Sequence, residues 1–343
     1  MKLKLCLIGC GGFSADVHGP AHMSYAATHP GVELAACCDL DAKRAQDYAL
    51  RFGYRRVYTD AERMLEQEAP DAVFVLVMPR VSAAVASVVL RRGIPLFLEK
   101  PPGMTGREIE TLSALAREHQ VPSQVAFNRR YMPIMQAARR ILDERFPSVL
   151  QVNYHMIRYN RADPDFSVTA IHAIDAAQFL AGSPYRQASL RFEYKVGVEA
   201  SRSNVTVLAE TASGTAVNIH IQPMAGLVSE SFTVHGVGMS LSGSVYGPGG
   251  QANSGFLEHW IGDRLVSSHT DEGLERPVRM GIHAEVEAFC EAVRQGGPMT
   301  PSLEECQSQV RLMEAIRNRE TGNLTFTLPR EMPATRYPQN IAT

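Results

Sequence analysis

Lys4-Leu5-Cys6-Leu7-Ile8-Gly9-Cys10-Gly11-Gly12-Phe13-Ser14 is the stretch that decides the fold. A short apolar, β-prone run ends in glycines spaced G-x-G-x-x-S, and a helical pattern follows over residues 16–28. Strand, tight turn and helix in that order make a cradle for a pyrophosphate. Gly9 lets the chain turn sharply out of the strand, and Gly11 lets backbone N–H groups approach the phosphates. A small residue at Ser14 lets helix and strand pack closely. The helix N-terminus adds unpaired N–H groups and the positive end of its dipole. Gly12 and Phe13 complete the turn and are expected to touch the same ligand. A second strand over residues 32–38 ends in Asp39. A carboxylate there accepts hydrogen bonds from adenosine ribose hydroxyls and repels a 2′-phosphate, so NAD is expected in preference to NADP. The interval from Gly11 to Asp39 exceeds the usual roughly twenty residues, which a longer first helix absorbs.

Composition narrows the class. With 343 residues, 45% hydrophobic and 20% charged, the chain has material for two globular domains. A net charge of −2 offers no electrostatic footprint for nucleic acid or an anionic membrane. No apolar run is long enough to span a bilayer, and the N-terminus passes straight into the first strand rather than a cleavable signal. The six cysteines (Cys6, Cys10, Cys37, Cys38, Cys290 and Cys306) show no C-x-x-C spacing, and four lie in the first two strand regions. There cysteine serves as a small buried apolar residue. A reduced, cytoplasmic protein without a metal is expected.

Strand and helix alternate through the first third. Strand-like runs occur at residues 2–8, 32–38, 57–58, 72–77, 95–98 and 123–127, with helical patterns at 41–51, 60–67, 81–92 and 105–118. The apolar run at 72–77 suits a parallel strand covered on both faces. Such alternation predicts a doubly wound α/β sheet with its ligand crevice at the carboxyl ends of the strands. Gly9, Asp39, Met78-Pro79 and Glu99-Lys100 all fall at such ends. Beyond about Asn128 the pattern changes. Helices at 133–143 and 169–180 flank a strand at 149–157; strands then follow one another at 187–195, 204–209, 216–221, 231–237 and 256–266. The Gly/Ser/Pro-rich segment 242–254 reads as a loop, and helices at 283–294 and 302–320, a strand at 324–328 and a polar tail close the chain. Successive strands without intervening helices predict a largely antiparallel sheet. The expected division is a dinucleotide-binding Rossmann domain over 1–127 and a substrate-binding, oligomer-forming α/β domain over 128–343.

Two residues carry the chemistry. Lys100, in Glu99-Lys100-Pro101, emerges from a strand into the predicted crevice, where its cationic charge stabilises an alkoxide formed as hydride moves. His172 lies near the start of the helix at 169–180 and is placed to take the proton. His172 and Asp175 are spaced i,i+3 and share a face. Either the carboxylate orients the imidazole, or it satisfies a backbone or arginine donor while His172 packs; spacing leaves both open.

Gly9-x-Gly11-x-x-Ser14, Asp39, Glu99-Lys100-Pro101, Phe127-Asn128-Arg129-Arg130-Tyr131 and His172-x-x-Asp175 together resemble the glucose–fructose oxidoreductase/inositol dehydrogenase/MocA-type family. The later Ala284-Glu285-Val286-Glu287-Ala288-Phe289 helix and Thr321-Gly322 are similar too, so the resemblance runs nearly the whole chain in order. It implies a Rossmann domain, a second domain with an open, mostly antiparallel sheet, and homodimers or homotetramers formed through that sheet. It also implies tightly held NAD(P) and hydride transfer at a hydroxyl or ketone of a sugar, inositol or related polyol. Lys100 and His172 would be the catalytic pair, with Met78, Pro79, Glu99 and Asn128 beside the cofactor. Arg129, Tyr154, Tyr159, Asp163, Asp165 and Thr169 are the expected substrate contacts. One of Arg129 and Arg130 is expected to meet cofactor or substrate and the other to pair with an acid. The chain departs from the family where an aspartate commonly sits four residues before the histidine; here that position is Val168. Asp163, Asp165, Tyr159 or His155 would then substitute, or His172 would work alone. Two other functions use the same fold: a nucleotide-bound sensor without turnover, and an NAD-assisted glycoside hydrolase or lyase.

Overall fold

The apolar runs of the N-terminal third become parallel strands. The computed structural model describes residues 2–161, 163, 165–193, 202–245 and 254–328. Strand β1 (Leu3–Ile8) leads into α1 (Gly19–Thr28), β2 (Val32–Cys38), α2 (Ala42–Phe52), β3 (Arg56–Tyr58) and α3 (Ala61–Glu68). Then come β4 (Ala72–Val75), α4 (Pro79–Leu90), β5 (Leu96–Leu98), α5 (Gly106–Glu118) and β6 (Ser123–Val125). The strands align in the order β3-β2-β1-β4-β5-β6, every neighbouring pair parallel. That order reverses direction between β1 and β4, the switch point where the crevice of a doubly wound sheet opens. Local chemistry sets the helix starts. The Asp41 and Asp60 side chains cap α2 and α3, and Thr105 with Glu108 forms a capping box on α5.

After a single 3₁₀ turn at Asn128–Tyr131, α6 (Pro133–Arg145), β7 (Gln151–Tyr159) and α7 (Ser167–Ala181) begin the second sheet. It continues through β8 (Tyr185–Glu193), β9 (Asn204–Thr211), β10 (Ala216–Ala225), β11 (Ser229–Gly236), β12 (Met239–Val245), β13 (Phe256–Ile261) and β14 (Arg264–Thr270). Short α8 (Arg276–Arg279), then α9 (Ile282–Gln295), α10 (Gln307–Asn318) and β15 (Gly322–Thr325) follow. The nine strands run β14-β13-β12-β11-β7-β10-β9-β8-β15, antiparallel except for β7 beside β10. Val152, Tyr154 and Met156 alternate inward from β7 and pack with Ala170, Ala173, Ile174 and Ala177 of α7 in one apolar core. Alpha-7 is apolar nearly all round and correspondingly buried on every side.

By internal packing the chain forms two compact units: residues up to Phe127 with Ile282–Val310, and Asn128–Gly281 with the described residues from Arg311. In the first, Phe289 of α9 sits against Phe74 and Phe97, ring centroids 5.1 and 5.4 Å away. The helix over Ile282–Gln295, late in sequence, thus completes the core of the Rossmann sheet.

Three elements differ from expectation. Residues Ser14–His18 form a π-helical turn before α1, where a plain helix from residue 16 was expected. Residues Met239–Val245 form β12, although 242–245 read as loop. Leu241 and Val245 point inward while Ser240, Ser242 and Ser244 alternate outward, so the period of two was there, masked by small polar residues. The single strand expected at 256–266 is a hairpin, turning at Gly262 and Asp263 with φ of 52° and 64°. Two consecutive positive φ values make a two-residue turn that matches strand twist. The expected strand end at 194–195, loop residues 246–253 and the tail 329–343 lie outside the described residues.

Candidate active site

At the switch point the chain leaves β1 through Gly9, whose φ of +105° suits glycine alone. A Cβ there would collide with the Leu76 carbonyl beyond β4. At Gly11 and Gly12 the opposite holds: a Cβ would meet nothing within 4 Å. Those two glycines present bare backbone to open space, which is what a pyrophosphate cradle requires, and the residues present fit a dinucleotide. Ser14 is buried, and its hydroxyl donates to Tyr48 Oη of α2 at 3.0 Å, tying the turn to the next helix.

Asp39 follows β2 directly. Its Oδ2 accepts from the Cys10 amide at 2.9 Å, and its Oδ1 accepts from the Asp41 amide at 3.0 Å and from Arg44 Nη1 at 3.1 Å. The carboxylate therefore holds the glycine turn. Arg44 is a contribution that motif reading underweights. Phe13, Leu40 and Met78 are 54%, 94% and 73% exposed around the same strand ends. Large apolar side chains left in water at a crevice are suited to flank planar rings. Pro79 opens α4 directly after Met78. All six cysteines are free and buried, and burial pushes the Cys6 and Cys38 thiols up to about 12, so they serve as packing.

Glu99 and Lys100 leave β5 on the other side of the switch point, both half-buried. The Glu99 amide donates to Val75 at 2.9 Å, extending the ladder with β4 past the strand end. The Glu99 carboxylate meets a histidine that sequence reading passed over: Oε2 lies 3.2 Å from His18 Nε2.

In the second unit Arg129 and Tyr154 are buried, at 4% and 0% exposure, and both bind Glu230. Arg129 Nε and Nη2 donate to its two oxygens at 2.8 and 2.6 Å, and Tyr154 Oη donates at 2.6 Å. Arg158 donates to the same carboxylate. Burial by itself would raise the Glu230 carboxyl, but the charges of Arg129 and Arg158 outweigh it and hold the group well below the usual carboxylate range. Arg130 grips Asp175 with Nε at 3.0 Å and Nη2 at 2.7 Å. Asp175 thus has an arginine donor, as one of its two readings requires. Asn128 donates from Nδ2 to the Met280 carbonyl at 2.8 Å.

His172 and Thr169 are spaced i,i+3 on α7, on one face of its first turns. Val168 lies on the same helix one turn before His172. After β7, Arg161 pairs with Asp163 at 2.6 Å and reaches the Thr169 hydroxyl at 3.3 Å. Asp165 accepts from the Ser167 amide at 3.0 Å and hydroxyl at 2.5 Å, which fixes the entry to α7. Tyr159 is exposed at the end of β7. Arg161 went unnoticed in the sequence; an arginine two residues before an aspartate is too common a pair to single out.

Residues 3–127 match the model of an oxidoreductase family with an NAD-binding Rossmann fold, GFO_IDH_MocA. Among curated proteins, the chain is 27% identical to a D-apiose dehydrogenase of Paraburkholderia graminis over 62% of its own residues, spanning 58% of that relative's length. It is 28% identical to inositol 2-dehydrogenase 2 of Saccharopolyspora erythraea, over 66% of this chain and 68% of that one. The rhizopine catabolism protein MocA of Rhizobium meliloti is 23% identical over 92% of this chain and 94% of its own. Among solved structures, levoglucosan dehydrogenase in complex with NADH and L-sorbose superposes with a TM-score of 0.80 at 18% identity, over 96% of this chain and 100% of that one. An oxidoreductase domain protein from Kribbella flavida gives 0.79 at 19%, over 93% and 96%. These last two show a shared fold. No helix among the described residues is long and apolar enough to cross a membrane.

Proposed function

We propose that this chain, which belongs to the Gfo/Idh/MocA oxidoreductase family through its NAD-binding domain, transfers hydride between NAD and a hydroxyl or ketone carbon of a sugar, inositol or related polyol. One observation carries the reading. A lysine, Lys100, stands at the end of β5, on the same sheet edge as a glycine turn whose Gly11 and Gly12 open onto empty space. NAD, when bound, supplies the hydride acceptor. Gly9, Gly11, Gly12, Phe13 and Ser14 hold its phosphates through backbone N–H groups, and Asp39 takes the adenosine ribose. Met78, Pro79, Glu99 and Asn128 are assigned to the remainder of the cofactor.

Lys100 donates to the oxygen of the reacting carbon and stabilises the negative charge that grows there on oxidation. His172 takes the hydroxyl proton, and returns it in the reverse direction. Tyr159, Asp163, Asp165 and Thr169 supply hydrogen-bonding groups suited to the hydroxyl rim of a polyol, with Arg161 fixing two of them. Arg129 and Tyr154, spent on Glu230, act by holding the frame of the sheet rather than by touching substrate. Self-association through the sheet face away from α7, where Asn153, His155, Asn218 and His220 are half-buried, would form the homodimer or homotetramer.

The test is purified protein with NAD against a panel of sugars, inositols and sugar acids, following NADH and carbohydrate products together. Net NADH with one class of polyol supports the dehydrogenase. Product without NADH points to the NAD-assisted hydrolase, and tight NAD binding without any turnover to a sensor.

A further inference from the structure

We propose that His18 is a positioning residue for Glu99: its imidazole fixes the carboxylate at the end of β5 in one geometry, ready to accept a hydrogen bond from a bound dinucleotide. The proposal rests on the NAD-dependent reading above and assigns a role to a residue outside the glycine motif.

Its basis is the π-helical turn. Gly19 donates its amide to the Ser14 carbonyl, five residues back, instead of the four of an α-helix. One extra residue in a turn rotates everything after it by about 100° about the helix axis. Here it carries His18 inward to 1% exposure and directs Nε2 at Glu99 Oε2, 3.2 Å away. The Glu99 side chain is itself only 12% exposed. Donation from Nε2 to a carboxylate requires a proton on Nε2. Nδ1 has no hydrogen-bond partner among the described residues.

Packing alone does not call for an imidazole at this place. The ring lies edge-on to Phe13 and Phe97, with centroids 5.7 Å away in each case. An aliphatic side chain would fill that space without an unpartnered nitrogen, which costs stability when buried. What the imidazole adds is the bond to Glu99. Below it on the same stripe His22 donates to or accepts from Tyr54 Oη at 2.9 Å, and burial, with His18 nearby, lowers its basicity well below the ordinary value. His22 thus backs the ring with a neutral side chain and leaves His18 alone to engage the carboxylate. With Oε2 engaged, Glu99 keeps Oε1 as the acceptor for a ribose hydroxyl or carboxamide N–H.

The experiment measures NADH affinity by fluorescence titration, with circular dichroism as the check on folding, in wild type, His18→Leu, His18→Gln, Glu99→Gln and the double variant His18→Leu/Glu99→Gln. Removing a hydrogen bond to a charged group should weaken NADH binding about tenfold in His18→Leu. Glutamine can donate from nearly the same place, so His18→Gln should stay within about threefold of wild type. In the Glu99→Gln background, His18→Leu should add less than about twofold, because the two act through one group. If the effects of His18→Leu and Glu99→Gln multiply, or if His18→Leu lowers only the melting temperature, the positioning role is wrong while the NAD-dependent reading stands. If wild type fails to bind NADH, that reading falls and this one with it.

Discussion

The Cys10 amide donates to the Asp39 carboxylate at 2.9 Å, so the acid at the end of β2 also pins the glycine turn at the end of β1. The proposed ribose contact of Asp39 can therefore be separated from this structural one. Asparagine keeps an oxygen for the Cys10 amide but loses the charge; alanine loses both. Wild type should bind NADH at least about tenfold more tightly than NADPH, because a 2′-phosphate beside a carboxylate is repelled. Asp39→Asn should narrow that gap by about tenfold, since Arg44, now paired with Asp39 at 3.1 Å, is released toward the phosphate. Asp39→Ala should weaken both cofactors. Fluorescence titrations with NADH and NADPH decide, and equal or tighter NADPH binding by wild type would sink the assignment.

Lys100→Ala should leave cofactor binding within a few-fold of wild type, because the nucleotide anchors proposed above are the glycine turn and Asp39. With the best polyol from the panel, kcat should fall on the order of a hundredfold or more, the loss expected for one charge-stabilising donor at a developing oxyanion. Steady-state kinetics beside an NADH titration separates the two effects. A near-normal kcat would remove Lys100 from the chemistry.

Glu230 gives a stability prediction. It accepts from Arg129, Arg158 and Tyr154 with its side chain fully buried. Glu230→Ala leaves two buried guanidiniums facing each other without an anion, and should cost about 3–5 kcal/mol in urea unfolding. The pH dependence has a definite sign. The folded carboxyl titrates below its unfolded counterpart, so its contribution is fully present above the unfolded value of about 4.3. It is lost as pH falls below that value toward the depressed folded one. Wild type should destabilise on acidification through this window more steeply than Glu230→Gln, and parallel curves would show that the cluster contributes no linkage.

How much of this was legible in the sequence depends on how far apart the partners lie. The glycine turn, Asp39 and Glu99-Lys100 are short-range signals, since each sits at the end of a strand that its own apolar run defines. Arg129 and Tyr154 looked like pocket residues because their real partner, Glu230, lies 101 and 76 positions along the chain, and a single sequence does not show such a pairing. Asp175 left two partners open, and the arginine that holds it, Arg130, lies 45 positions away. His18 was missed for a subtler reason. A regular helix from Asp16 would turn it elsewhere, and nothing in Ser14–His18 announces a π-turn. Beta-12 was lost to its serines, which sit on the half-buried outer face where β-prone residues were not required.

His172 poses the sharpest test, because Val168, and not a carboxylate, lies one turn before it. On α7 the two positions are spaced i,i+4 and share a face. Asp175, the acid on this helix, is gripped by Arg130 through two guanidinium nitrogens. If His172 takes the substrate proton, it must be neutral to do so, and oxidation should slow on acidification as the ring takes a proton from solvent instead. His172→Asn should slow turnover, remove that acid limb and leave the NADH affinity near wild type. Val168→Asp then restores a carboxylate within reach of the ring. A nearby negative charge favours the imidazolium, so the limb should move to higher pH in Val168→Asp and be absent in Val168→Asp/His172→Asn. A limb that survives in His172→Asn would transfer the proton to Asp163, Asp165, His155 or Tyr159. A limb unmoved by Val168→Asp would make His172 a packing residue of α7.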